Sequence, residues 1–145
     1  MNFYLLDDEL NYIQVIEIYT SMIWTTRYYT AGDFELYAPA TPELLNTLQR
    51  GYYIVRDDDL TQCMIIANFE VTTDVENGDY ITITGQSLKS ILNRRIIWTQ
   101  TVLNGNVETM VRKLVTENAI NPTIAARAIS RLVLGDTIGL TGTIE

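Results

Sequence analysis

The sequence predicts an α+β fold, mostly antiparallel, in which about three short helices accompany the strands. Three observations predict it. Aromatic and β-branched residues gather in short runs separated by polar clusters through the first quarter of the chain. One later run, Cys63 to Val71, alternates apolar and polar positions ahead of an Asn-Gly pair. Three further segments carry apolar residues at spacings of three and four, each behind a Thr, Ser or Asn able to cap a helix. A chain of 145 residues buries one proper core and not two, so one domain over residues 1–134 is expected, with 135–145 as an exit strand or linker.

Phe3 to Leu6, Tyr12 to Tyr19 and Met22 to Tyr29 read as three consecutive strands, set apart by Asp7-Asp8-Glu9 and Thr20-Ser21, and suggest a meander. After Ala31-Gly32-Asp33, the run Phe34 to Ala38 places Phe34, Leu36 and Ala38 on one side of a half-buried strand. The first helix has its punctuation in the sequence. Thr41 is the N-cap, Pro42 takes the first helical position where a missing N–H is harmless, and Gly51 stops the run. Leu44, Leu45 and Leu48 make its apolar stripe, so it should plug one end of the sheet.

Tyr52 to Arg56 is the next strand. Cys63, Ile65, Ala67, Phe69 and Val71 should then face the core, and Asn77-Gly78 should turn the chain into Tyr80 to Thr84 with Ile81 and Ile83 inward. Ser87 caps a predicted second helix with Leu88, Ile91 and Leu92 on one face and Arg94 and Arg95 near its end. Ile96 to Leu103 reads as a strand closed by Asn104-Gly105. Asn106 caps the longest helix, which carries Val107, Met110, Val111, Leu114 and Val115 on one face and stops at Asn121-Pro122. Beyond it, Ala125 to Ile129 suggests a helical turn and Ser130 to Leu134 a strand.

Composition removes many functions. Lys plus Arg number 10 against 18 Asp plus Glu, a net charge of −8, which repels phosphate backbones and anionic membranes. Histidine is absent, and with it the commonest general base and metal ligand. The single Cys63 reads as a small core hydrophobe. No segment has the length of a membrane span or the pattern of a secretory signal, so folding in the cytoplasm of the producing cell is expected. Asp57-Asp58-Asp59 lacks the Gly that makes the sharp turn of a calcium loop and reads as a solvated turn. Glu35 and Glu70 are imaginable as paired glycosidase carboxylates, though outward strand positions explain them. The chain is therefore read as no enzyme, with no cofactor and no metal. Its two Trp and nine Tyr leave amphipathic rings for an interaction surface.

Three ordered blocks carry a resemblance. They are Trp24-x-x-Arg27-Tyr28-Tyr29-x-x-Gly32-Asp33-Phe34-Glu35-Leu36-Tyr37-x-Pro39, then Gly51-x-x-Ile54, then Gly85-x-Ser87-Leu88-Lys89-x-x-Leu92-x-x-Arg95-Ile96. Together they resemble the N-terminal half of a siphophage and prophage minor tail protein family, similar to tail-tip or baseplate hub proteins. The resemblance implies a β-barrel or split-barrel hub domain with helices packed on or between its strands. It further implies a virion tail location, a homo-oligomeric ring docked to other tail proteins, and a longer parent protein toward which residues 135–145 lead. It falls on Trp24, Arg27, Gly32, Phe34, Glu35, Leu36, Gly85, Ser87, Leu88 and Arg95, none of them catalytic. Arg27, beside Tyr28, Tyr29 and Glu35, and Arg95 are expected to pin local structure or a neighbouring subunit. The acidic balance would also suit a ring whose lumen lets DNA slide. Two other classes stay open: a carbohydrate-binding or adhesion module, which needs exposed rings along one groove, and a tail-associated hydrolase.

Overall fold

The computed structural model describes residues 1–75 and 78–144. They form two compact units, Met1–Ser90 and Ile91–Glu145. The first is built on seven antiparallel strands: β1 (Phe3–Leu6), β2 (Tyr12–Ile16), β3 (Ser21–Thr25), β4 (Asp33–Pro39), β5 (Tyr53–Arg56), β6 (Cys63–Asp74) and β7 (Gly78–Ser87), with α1 (Pro42–Thr47) between β4 and β5. Their order across the sheet is β2-β1-β5-β6-β7-β4-β3. The α+β, antiparallel expectation therefore holds, whereas a closed barrel does not form: β2 and β3 are the two edges and exchange no ladder among the described residues.

The sheet is nonetheless strongly curled, for a covalent reason. Ile16 and Ser21 are five residue steps apart, at most about 18 Å of chain. A flat seven-stranded sheet would separate its edges by six ladder spacings, roughly 29 Å. With every neighbouring pair antiparallel, β2 and β3 run in the same sense, so the chain passes from one edge to the other without reversing. Side chains register the curl: Phe3 on β1 stacks on Trp24 of β3 with centroids 6.0 Å apart, and the Arg56 guanidinium of β5 lies 5.8 Å from that indole ring. The expected meander is thus wrong for β3. It pairs with β4 from Ser21↔Tyr37 to Thr25↔Asp33 and shares no ladder with β1 or β2 among the described residues.

Phe3, Leu5, Phe34, Leu36, Ala38, Ile54, Met64, Ile66, Ile81 and Ile83 fill the space inside the curl. The α1 helix forms as its sequence demands. The Thr41 hydroxyl accepts the Leu44 N–H at 3.2 Å, Pro42 opens the first turn, and Leu44 and Leu48 enter the core while Leu45 stays exposed. Gln14 Nε2 donates to Thr47 Oγ1 at 2.8 Å, which ties this plug to the β2 edge.

Of the positions expected to face the core on the long alternating strand, Phe69 packs against it, whereas Ala67 and Val71 are exposed, Val71 at 46%. Ile66 faces Gly85 and Asn68 faces Thr84, so Ala67 is a bulge, and a bulge shifts the period by one. Phe69, beyond it, packs against the core. Ahead of it the core residues are Met64 and Ile66, and Cys63 and Ile65 stand on the opposite face. Alternation counted on one phase cannot anticipate an extra residue. In the predicted turn, Asn77 lies outside the described residues, and Gly78 adopts φ +88°.

The second unit holds the remainder of α2 (Ser90–Asn93), then β8 (Gly105–Asn106), α3 (Val107–Val115) and β9 (Thr143–Ile144). The α3 helix starts where its cap predicts, with Asn106 Oδ1 accepting the Thr109 N–H at 3.1 Å, and continues as one wide turn over Thr116–Ile120. Three expectations fail here. Ser87 is the last residue of β7 and caps nothing; Ile96 to Leu103 has no strand, and neither has Ser130 to Leu134. The short expected turn near Ala125 exists over Ala125–Arg127. Residues 135–144 return to α3, where β9 pairs antiparallel with β8.

Candidate functional site

The residues singled out in the sequence converge, with one exception, on a single corner of the curled sheet. The β3–β4 ladder sets Trp24 opposite Phe34, and the β4–β7 ladder sets Phe34 opposite Gly85. Trp24 and Phe34 face inward with centroids 6.0 Å apart. The Trp24 Nε1 is buried without a hydrogen-bond partner. At the end of β7, Ser87 replaces helix capping with strand fastening: its hydroxyl accepts the Gly32 N–H, and its own N–H donates to the Gly32 carbonyl, both at 2.9 Å. Leu88 is half-exposed and extends the ladder through its N–H to the Cys63 carbonyl at 3.2 Å.

Both glycines of this corner are dictated by space. A Cβ on Gly32 would lie 2.1 Å from the Thr25 carbonyl oxygen. One on Gly85 would lie 2.0 Å from the Ile65 carbonyl oxygen and 2.4 Å from the Phe34 ring. The sheet therefore closes on these positions as no other residue would permit.

Arg27 is fixed here, but by a different carboxylate from the one expected. Its Nη1 donates to Asp33 Oδ1 at 2.6 Å and to the Ala31 carbonyl at 3.3 Å, while Lys89 Nζ reaches the Arg27 carbonyl at 3.0 Å. Asp33 is a partner that the sequence reading overlooked; its position six residues after Arg27, across a Gly-containing turn, was the available signal. Glu35 instead looks outward, into a shallow depression of about 590 Å³ shared with Ile23, Thr25, Asp33, Thr84 and Gln86. Tyr28 and Tyr29, 86% and 93% exposed, meet edge to face at 4.8 Å on the preceding loop.

Arg95 lies apart, in the second unit, where its Nη1 donates to the Arg94 carbonyl at 3.4 Å and its Nε is buried without a partner. The strongest polar constellation of that unit was not singled out. Glu108 accepts the N–H groups of Ile138 at 2.8 Å, Gly139 at 2.8 Å and Leu140 at 3.0 Å, together with Arg112 Nε at 3.0 Å. Arg112 returns its Nη groups to the Gly135 and Asp136 carbonyls. The Ile138 amide above all, then the other amides and Arg112, holds the Glu108 carboxyl below its ordinary value. This is a clamp on backbone, and both of its carboxylate oxygens are occupied.

Other candidates resolve into local ties. Asp57 accepts the Asn2 N–H at 2.9 Å, Asp58 pairs with Arg56 at 2.5 Å, and Asp59 accepts the Thr61 N–H and hydroxyl at 3.0 and 2.6 Å. Among the described residues no group of three or more acidic or Cys side chains could hold a metal. Burial pushes the Cys63 thiol up to about 11. No helix among the described residues is long and apolar enough to cross a membrane.

An α+β protein results, whose first unit is a curled, open antiparallel sheet and whose Ser87 and Glu108 clusters fasten side chains to backbone. The chain belongs to the Siphovirus ReqiPepy6 Gp37-like protein family, whose model matches residues 2–143. It is thus a phage-type protein along nearly its whole length. No curated protein and no solved structure matches it.

Proposed function

We propose that this chain is a structural component of a phage or prophage tail, at the distal tail or baseplate hub, working by self-association and by docking to other tail proteins rather than by turnover. The observation that carries this reading is the siphovirus family match over residues 2–143, taken with the large apolar side chains left on the surface. Tyr28, Tyr29, Ile96, Ile97, Trp98, Val133 and Ile138 are all exposed and offer apolar contact area to a neighbour.

The non-catalytic part of the proposal has physical support. Glu35 and Glu70 occupy outward positions two ladder spacings and two residues apart, roughly 12 Å between backbones. Paired carboxylates of a glycosidase face each other across a cleft, whereas these two stand side by side on one face of the sheet. A thiol raised to about 11 is a poor nucleophile at neutral pH. The chain also lacks histidine.

Antibodies raised against the chain and applied to purified virions, viewed by electron microscopy, test the location. Label at the distal end of the tail is expected. Label on the head, or a chain present in lysates and missing from virions, would sink the proposal.

A further inference from the structure

The two units differ sharply in charge. Residues 1–90 hold four Lys and Arg against fourteen Asp and Glu, net −10, whereas residues 91–145 hold six against four, net +2. Each unit also carries one exposed apolar feature, and the two features complement each other.

On the first unit the outward side chains of β1 and its neighbours form an apolar groove of about 350 Å³, lined by Tyr4, Leu6, Tyr12, Val55 and Leu60. It faces away from the core, because Phe3 and Leu5 alternate inward between the residues that line it. Tyr12 and Leu60 are 63% and 68% exposed, so the groove is open. An acidic turn stands at each end of β1: Asp7-Asp8-Glu9 follows Leu6, and Asp57-Asp58-Asp59, whose Asp58 pairs with Arg56, leads into Leu60. The groove is apolar in the middle and negative at both ends.

On the second unit, Arg94-Arg95-Ile96-Ile97-Trp98 presents the opposite pattern. Ile96, Ile97 and Trp98 are 62%, 56% and 61% exposed. Arg127 adds a third guanidinium, 5.1 Å from the Trp98 ring, with its Nη2 donating to the Ile96 carbonyl at 2.9 Å. The stretch beginning here is strand-like in composition and yet has no ladder partner among the described residues. It is an apolar strip with a basic border, covered in part by its own unit, where Arg127 lies over the Trp98 ring and Asn118 Oδ1 accepts the Trp98 N–H at 3.2 Å, and otherwise exposed.

We propose that the Arg94–Trp98 strip of one copy seats in the Tyr4–Tyr12–Leu60 groove of a second copy. Ile97 and Trp98 fill the apolar floor, and Arg94, Arg95 and Arg127 meet the acidic turns. Groove and strip are different surfaces, so the contact is head to tail and propagates to a ring where the rotation closes. The inference rests on the self-association reading above and names its contact. Five lining residues are few beside the roughly 20–30 residues a side of a standard interface, so one contact is weak and a closed ring gains from repetition. The charge pattern makes association salt-sensitive.

The test is sedimentation of the full chain over a wide concentration range, at low and high salt, for wild type, Leu60→Asp and Ile97→Asp. Both substitutions fall at exposed positions, so circular dichroism should match wild type. Each is expected to weaken association about 10- to 100-fold, from the loss of one apolar side chain's burial. A second measurement reads the contact directly. In a Cys63→Ser background, mass-tagged Leu60→Cys chains are mixed with Ile97→Cys chains under mild oxidation. Mixed disulfide dimers are expected well above those formed by Leu60→Cys with Val133→Cys. Wild type that stays monomeric throughout overturns the self-association reading and this contact with it. Wild type that associates, with both Asp variants unimpaired and no preferred mixed disulfide, overturns this contact alone.

Discussion

Replacing Gly85 by alanine adds one methyl group at the most crowded point of the sheet. That methyl would stand 2.0 Å from the Ile65 carbonyl oxygen, 2.9 Å from its carbon and 2.4 Å from the Phe34 ring. The Phe34 contact is a side chain's and can yield. The Ile65 contact is backbone, one residue before the Ile66↔Gly85 pair and two before the Ala67 bulge, and it yields only if β6 moves away from β7. Overpacking costs about 1–3 kcal/mol and each ladder hydrogen bond loosened about 1 kcal/mol more, so a loss of roughly 3–5 kcal/mol is expected. Against a total of about 5–15 kcal/mol this is severe, and a shift of some 4–8 °C per kcal/mol makes it plain in a melting curve. Urea unfolding followed by tryptophan fluorescence suits the assay, because Trp24 packs on Phe34 beside the site. Two controls locate the cause. Gly51→Ala, at φ +90° with nothing within 4 Å, should cost only about 1 kcal/mol. Adding Phe34→Leu to Gly85→Ala should rescue nothing, since the carbonyl clash remains. A Gly85→Ala protein within 1 kcal/mol of wild type would refute this account of the corner.

Four further outcomes are expected. Asn106→Ala should destabilise the α3 start by about 1 kcal/mol, measured by thermal unfolding, because the Thr109 N–H loses its acceptor. Arg27→Ala should change stability by less than about 1 kcal/mol, since its pair with Asp33 is half-exposed; a larger loss in chemical denaturation would mean the corner depends on it. The Glu108 carboxyl sits below its ordinary value of 4.5, so its clamp on residues 138–140 is complete above that pH and is lost as pH falls through the lowered folded value. Amide exchange at Ile138, Gly139 and Leu140 should accelerate over that acid range and be fast at all pH in Glu108→Gln. Finally, with its thiol at about 11 instead of the usual 9.0, Cys63 should react with iodoacetamide at pH 8 about 100-fold more slowly in the native protein than in urea.

Much of the fold was legible where its signals are local. Thr41 and Asn106 cap helices wherever they stand, since the donors they satisfy are two or three residues away. Phe34, Leu36 and Ala38, like Ile81 and Ile83, obey a period of two that backbone geometry imposes. The glycines of the family blocks were legible as residues, but their reason was not. Gly85 is required by the Ile65 carbonyl of a neighbouring strand, and no property of the Gly85 segment announces that carbonyl.

Composition and short-range pattern, then, determined the class of fold, most strand and helix positions, and an acidic chain lacking histidine. Tertiary structure alone decided that β3 lies at the edge opposite β2, that Ala67 bulges and reverses the phase of β6, that Asp33 rather than Glu35 holds Arg27, and that Ile96 to Trp98 remains exposed. Each depends on a partner distant in sequence or across the sheet. A hydrogen-bond ladder or an ion pair is chosen by what the rest of the chain brings within reach, and local propensity holds no record of that choice.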